Sequence, residues 1–342
     1  MRAPTNTYLF NCVRFYLLKR SRGVTLKEIL ITNDTKNQRL DKFLGKYLND
    51  APKSFIYKML RKKNIKLNGK KAQGSEILAE NDIVHIYMAD DTVDKFRSEK
   101  NVNQSAGEID IVYEDEHILI VNKPRGLLTH PDSPNQHDTL LGRTLSYLHK
   151  KGEYDISRES VFTPGFCNRL DRNTTGIVVC GKTLNALQQL NKAISCRESK
   201  KYYHAIVLGE VKSGGVLQGY HTKDQSANKV AISDTSSAGD KAAITEYEPI
   251  AIANGHSLLK IKLITGRSHQ IRAHLSGIGH PILGDTKYGE KIPSAPKFQM
   301  LHSASICFSS LTNELESLNG ILFEAAAPMD FKFYVDKLFG GM

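Results

Sequence analysis

Three short stretches concentrate the side chains that can do polar chemistry. The first, Asn168-Arg169-Leu170-Asp171-Arg172-Asn173-Thr174-Thr175-Gly176, sets one carboxylate between two guanidinium groups and continues into the apolar run Ile177 to Cys180. Such an aspartate can cap a turn in a structural ion pair, or it can be catalytic. The second, Asn122-Lys123-Pro124-Arg125-Gly126-Leu127, closes an apolar run and leads to His130-Pro131. The third, Leu263-Ile264-Thr265-Gly266-Arg267-Ser268-His269-Gln270-Ile271-Arg272-Ala273-His274, is a strand-to-helix turn dense in hydrogen-bond donors. In it His269, Gln270 and Arg272 can be either fold-supporting donors or phosphate contacts. No metal is expected. Cys12, Cys167, Cys180, Cys196 and Cys307 form no CxxC pair, and His269 and His274, five apart, lie about 140° apart around a helix. No GxGxxG follows a strand and no GxxxxGK[ST] is present, so a nucleotide-binding fold is disfavoured.

The elements that must carry these stretches read as an α+β domain. Strand-like segments fall at 111–113, 118–121, 176–180, 202–208, 243–248 and 258–264, against one marked helix through Leu184, Leu187, Leu190 and Ile194. Strands outnumber helices and do not alternate with them, which predicts a mixed, largely antiparallel sheet over residues 108–335. Upstream, apolar residues Leu40, Phe43, Leu44 and Leu48 recur at helical spacing after the cap candidates Asp34 and Thr35. A second helix over 53–62, a strand at 65–67, the hairpin turn Asn68-Gly69 and a strand at 83–88 complete a small unit spanning 37–90. Residues 91–107, polar and without periodicity, read as a linker.

Charge separates the two parts. The chain of 342 residues carries a formal net charge of +11, and its first 100 residues hold 21 basic and 11 acidic side chains. From Ala51 to Lys71 there is no acid, while Phe55, Ile56, Met59 and Leu60 interleave with Lys53, Lys58, Arg61, Lys62, Lys63, Lys66, Lys70 and Lys71. One face of that helix is anchored and the basic face is presented, as phosphate contact requires. Scattered, odd-numbered cysteines fit a reducing compartment, hence the cytoplasm. No stretch approaches the roughly 18 to 20 apolar residues of a membrane span. Residues 1–23, acid-free and basic, read as a non-native or disordered leader, with translation expected to begin near Val24 rather than as an organellar transit peptide.

Taken together, NRLDRNTTG, VNKPRGLLTHP, KKYYHAIVLGE, LITGRSHQIRAH and GHPILGDTKYG resemble the motif set of the RluA family of pseudouridine synthases. RLDKFL and APKSFIYKMLRKKNIKLNGKK resemble the S4-type alpha-L RNA-binding domain that precedes it in many members, and the combination is most similar to the RluC-type branch. The resemblance covers Arg39 to Asp330. It implies cofactor-free isomerisation of uridine to pseudouridine on a flipped-out base, in large-subunit 23S rRNA or a ribosome assembly intermediate, by a monomer. By motif position, Asp171 is the nucleophile and Arg267 the arginine paired with it. Tyr203 of the K-x-Y-x-A pattern is the ring that stacks on the base; Tyr202, one residue earlier, faces the other side of its strand. Arg169 and Arg172 are candidate RNA contacts, as are Lys58, Arg61, Lys62, Lys63, Lys66 and Lys70. Many relatives have His where this chain has Asn168, so no imidazole role carries over there. Two rival readings are a non-catalytic RNA-binding protein and a carboxylate-based RNA glycosidase.

Overall fold

The structure, a computed structural model, describes residues 15–21, 24–32, 35–97, 107–133, 138–154, 162–224, 229–233, 235, 240–293 and 295–340. The chain divides into two compact units, one built mainly from residues 1–102, with 148–164 and 183–185, and the other from most of the remainder.

In the first unit the apolar stripe of α1 (Leu40–Tyr47) buries Leu40, Phe43, Leu44 and Tyr47, and α2 (Lys53–Arg61) buries Ile56, Met59 and Leu60. Both stripes close on a five-stranded sheet in the order β1-β2-β5-β3-β4, with β1 Phe15–Ser21, β2 Val24–Leu30, β3 Ile65–Leu67, β4 Lys70–Lys71 and β5 Ile83–Met88. Pro52 opens α2, where its missing N–H costs nothing. The anchored face leaves Lys58, Arg61, Lys62, Lys63, Lys70 and Lys71 exposed, while Lys66 lies over the Tyr87 ring at 5.0 Å.

This unit is larger than the 37–90 span expected. Residues 15–21, placed in the leader, form a strand antiparallel to β2; the rest of the leader, and Asp34, lie outside the described residues. The first helix starts at Leu40, since Asn37, at φ 61, cannot belong to a right-handed helix. Part of the expected linker is the short helix α3 (Asp90–Lys95), which buries Val93 and brings Phe96 to 4.4 Å from Phe55. Six residues with one core contact are too few for periodicity to register. Residues 98–106 lie outside the described residues.

The second unit is a mixed, eleven-stranded sheet. Its strands and helices, in chain order, are β6 (Asp110–Glu114), β7 (Ile118–Lys123), α4 (Leu140–Lys150), β8 (Gly165–Phe166), β9 (Thr175–Gly181), α5 (Leu184–Ser195), β10 (Ser199–Leu208), β11 (Gly215–Asp224), β12 (Lys229–Ser233), β13 (Lys241–Ala253), β14 (His256–Leu263), α6 (Gln270–Gly277), β15 (Leu301–Phe308), β16 (Leu322–Glu324) and α7 (Met329–Phe339). The order is β12-β11-β13-β14-β10-β15-β9-β7-β6, with β16 on β15 and β8 on β9. Every pairing is antiparallel except β15 with β9. That parallel joint depends on Gly176 (φ 108), where any Cβ would collide with the Ser303 carbonyl. The α+β class is as expected. Helix α7, running past the expected limit at 335, was missed, because its burial rests on Phe331 alone with Tyr334, Val335 and Leu338 packed at the margin.

Candidate active site

Asp171 sits in the turn between β8 and β9, and the second motif is the scaffold of that turn. Lys123, fully buried at the end of β7, donates from Nζ to the carbonyls of Pro124 (2.8 Å), Leu127 (2.7 Å) and Arg172 (2.9 Å). Thr129 Oγ1 donates to the Leu170 carbonyl at 2.9 Å and accepts from the Leu170 N–H at 3.2 Å. Arg125 Nη1 donates to the carbonyls of Asn173 and Gln299, each at 2.8 Å, while its Nε reaches Asp330 Oδ2 at 2.8 Å. The backbone on both sides of the carboxylate is therefore held by side chains from 123–129. Burial pushes the Lys123 ammonium down to about 7.

Asn168 braces the same turn from the other side. Its Nδ2 donates to the Ile177 carbonyl at 3.1 Å and its Oδ1 accepts from the Val179 N–H at 2.9 Å. Both ends of the amide are spent on the β9 backbone, so at this position the side chain works as a strap.

The third motif delivers the partner of the carboxylate. His269 adopts a left-handed conformation (φ 55, ψ 15), which ends the turn after β14 and starts α6 at Gln270. Gln270 is consumed by the fold: its Oε1 accepts from Thr265 Oγ1 at 2.7 Å, and its Nε2 donates to the Ile244 carbonyl and Thr245 Oγ1. Arg272, buried in the first turn of α6, donates from Nη1 to Asp171 Oδ2 at 3.0 Å. Its other edge is gripped by Asp285, from Nε to Oδ2 at 2.6 Å and from Nη2 to Oδ1 at 2.8 Å. Burial opposes the charge on Arg272, yet Asp285 and Asp171 outweigh it and raise its pKa. Burial likewise opposes the Asp285 carboxylate, and Arg272 overcomes this to hold it below its ordinary value.

The expected pairing of Asp171 with Arg267 is thus corrected. Arg267 precedes the helix, its Nε donates to the Ala242 carbonyl at 3.2 Å, and it lines the cleft without bonding the carboxylate. The two arginines are five residues apart in one motif, and the left-handed turn at His269 together with the grip of Asp285 sets Arg272 towards Asp171. The sequence contained Asp285 in GHPILGDTKYG, but a pair between positions 272 and 285 has no local signature.

Around the carboxylate is a cleft of about 100 Å³ lined by Arg169, Leu170, Tyr203, Leu263, Arg267, His269 and Leu301 among others. It is too small for a drug-sized molecule and suits one flat ring. Tyr203 lies in it, nearly buried; Tyr202 takes the opposite face of β10, with Lys260 Nζ 5.3 Å from its ring. Burial pushes the Tyr203 hydroxyl up to about 12; the negative charge of Asp171 adds to this and a hydrogen bond with Ser303 opposes it. His269, not singled out as catalytic, points Nε2 to within 3.7 Å of Asp171 Oδ2 while Nδ1 is 2.9 Å from the Tyr288 hydroxyl. Burial lowers its pKa, against the pull of Asp171. Arg169 and Arg172 are exposed beside Asp171, Arg172 with Nε on the Gly126 carbonyl at 3.2 Å. Among the described residues no cluster of potential metal ligands occurs.

This arrangement, a charge-anchored carboxylate beside a buried aromatic ring, agrees with the likeness of the chain to known proteins. The RNA pseudouridylate synthase family matches residues 117–277. Over 300 residues the chain is 34% identical to an uncharacterised RNA pseudouridine synthase of Mycoplasma capricolum subsp. capricolum, covering 86% of this chain and 95% of that one. It is 32% identical over 277 residues to ribosomal large subunit pseudouridine synthase D of Escherichia coli K12, covering 78% and 77%. To the protein of the same name in Pseudomonas aeruginosa it is 40% identical over 192 residues, covering 55% and 56%. The solved structure of human RNA pseudouridylate synthase domain containing 4 shares the fold, with a TM-score of 0.52 over 68% of this chain and 95% of its own at 22% identity. With sequence identity sustained over most of the length of such relatives, the chain belongs to the RluA family of pseudouridine synthases and is an RNA-modifying isomerase.

Proposed function

We propose that this enzyme isomerises uridines of large-subunit ribosomal RNA, with Asp171 as the nucleophile acting on a flipped-out base. The observation that carries this reading is the asymmetry of one carboxylate. Arg272 holds Oδ2, while Oδ1, without a hydrogen-bond partner among the described residues, is left for the cleft beside Tyr203. A carboxylate oxygen so placed can bond to the ribose carbon C1′ as the C1′–N1 bond breaks with its electron pair on uracil, or can add first to ring carbon C6. The detached ring turns, C5 bonds to C1′, the carboxylate is released, C5 loses its proton and N1 gains one. Product and substrate are isomers, so the balance calls for no oxidant, reductant or cofactor. Tyr203, a phenol at neutral pH, stacks on the base. A uridine inside a helix cannot reach a carboxylate walled by Leu170, Leu263 and Leu301, so the nucleotide must leave the stack, at a cost of a few kcal/mol.

In the same reading residues 37–90 are an S4-type module whose exposed Lys58, Arg61, Lys62 and Lys63 grip rRNA or an assembly intermediate, and the enzyme acts as a cytoplasmic monomer. The motif set favours the RluC-type branch, whereas the two named relatives cited above are synthases of type D; both names point to the large subunit. The test is to incubate 23S rRNA with wild-type enzyme and with Asp171→Asn and Asp171→Ala, and to map pseudouridine. The variants should bind rRNA and form none. Activity in either overturns the nucleophile assignment, and release of free uracil by the wild type would favour a glycosidase.

A further inference from the structure

Among the described residues, three lysines of the second unit are buried: Lys123, Lys182 and Lys201. Two of them are well supplied with acceptors. Lys123 has its three carbonyl oxygens, and Lys182 donates to Glu114 Oε1 at 3.0 Å and to the Asp115 carbonyl at 2.6 Å. Lys201, only 7% exposed, has no hydrogen bond or ion pair among the described residues. Burial lowers its pKa and no acidic side chain acts to restore it. Its stem is buried, but the ammonium nitrogen is not among the sealed, unpartnered atoms, so it opens to solvent and an acceptor from outside the protein can reach it.

The surroundings say where that acceptor would sit. Lys201 precedes Tyr203 by two residues on β10 and so shares its sheet face. Its Nζ approaches Gly266, in the turn that lines the cleft; a Cβ built on Gly266 would meet that Nζ at 3.9 Å and nothing nearer. Gly266 does not have the left-handed backbone that calls for glycine, and no neighbouring main chain crowds it. Contrast Gly176, where both reasons hold. What glycine provides at 266 is open space, an exposed and bare stretch of backbone beside an unpaired cation. The lining of the cleft adds Arg169 and Arg267 and, apart from Asp171, no acid.

We propose that Lys201 and Gly266 form a notch that receives one phosphodiester group of the RNA beside the nucleotide held at Asp171. The proposal rests on RNA being the substrate, as argued above. A phosphate oxygen accepts the ammonium hydrogen bond that the protein leaves unmade, and the missing side chain at 266 lets the strand come close.

The test uses the full-length protein, a labelled large-subunit rRNA transcript, and affinity measured across a series of potassium chloride concentrations. Lys201→Met should bind about tenfold more weakly, with the slope of log affinity against log salt reduced by about 0.7 to 0.9, the value of one phosphate contact. Lys201→Arg should keep the wild-type slope. Gly266→Ala, which fits the fold but fills the notch, should also bind about tenfold more weakly while its thermal midpoint holds or rises, since alanine restricts the unfolded chain. For each weakened variant the loss should fall on KM more than on kcat. Wild-type affinity and slope in Lys201→Met overturn the proposal. A lowered midpoint in Lys201→Met together with wild-type binding by Gly266→Ala also overturns it, by showing a packing role. Failure of the wild type to make pseudouridine in the same transcript would instead overturn the substrate reading, and the salt slopes, measured without turnover, keep the two failures apart.

Discussion

Replacing Arg272 by methionine separates what its guanidinium does for stability from what it does for chemistry. Arg272 is 7% exposed and Asp285 2%, and the pair is joined by hydrogen bonds of 2.6 and 2.8 Å. Arg272→Met leaves Asp285 as a buried carboxylate without its counter-charge, still accepting from the Lys287 and Tyr288 N–H groups, a defect of about 3–5 kcal/mol. At roughly 2–4 °C per kcal/mol for a unit of this size, the thermal midpoint should fall by about 6–20 °C. The same change frees Asp171 Oδ2, so the proposed nucleophile loses its anchor and its orientation; misplacement by about 1 Å costs about 100-fold, and loss of the neighbouring charge adds to it. Pseudouridine formation should drop at least about 1000-fold, measured on 23S rRNA by release of tritium from uracil carbon 5. The double variant Arg272→Met with Asp285→Leu removes the stranded charge and should recover most of the midpoint while remaining inactive. The pH dependence has a definite sign. Asp285 has a folded pKa below its unfolded value, so the pair contributes fully above that unfolded value, near 4, and the contribution fades as pH falls through the folded value. Wild type and Arg272→Met should therefore converge in stability in acid. An active double variant, or a single variant within tenfold of wild type, would refute the reasoning.

Tyr203→Phe should keep substrate affinity within about threefold while lowering kcat, whereas Tyr203→Ala should lose both, because the ring fills the cleft wall; steady-state kinetics separates the two. With the Tyr203 hydroxyl pushed up to about 12, the wild-type pH–rate profile should show no break from this group between neutral pH and about 11. Asn168→Ala leaves the Ile177 carbonyl and Val179 N–H unpaired and should cost about 1–3 kcal/mol in urea denaturation, with activity falling only as the Asp171 turn loosens. Changing Lys58, Arg61, Lys62 and Lys63 together to glutamine should leave the midpoint within a few degrees and cut the salt slope of rRNA binding by several tenths per residue lost.

The sequence by itself determined the ingredients. Local rules were enough for α2, because buried Ile56, Met59 and Leu60 repeat with the helix and the lysines fall between them. They also placed β7, β9, β10 and β14 and the Tyr202/Tyr203 alternation, since a strand sends neighbouring side chains to opposite faces. The ordered motifs were enough for the family. What they could not supply was which side chains meet across the sheet. The support of the Asp171 turn by Lys123, Arg125 and Thr129 joins positions more than 40 apart. The pairing of Asp171 with Arg272 rather than Arg267 hangs on a single left-handed residue, His269, and on Asp285 drawing the guanidinium inwards. Likewise Lys201 differs from Lys123 and Lys182 only in what surrounds it. A hydrogen bond or an ion pair is decided by direction and distance, which chain order does not encode until the strands of the sheet have taken their places.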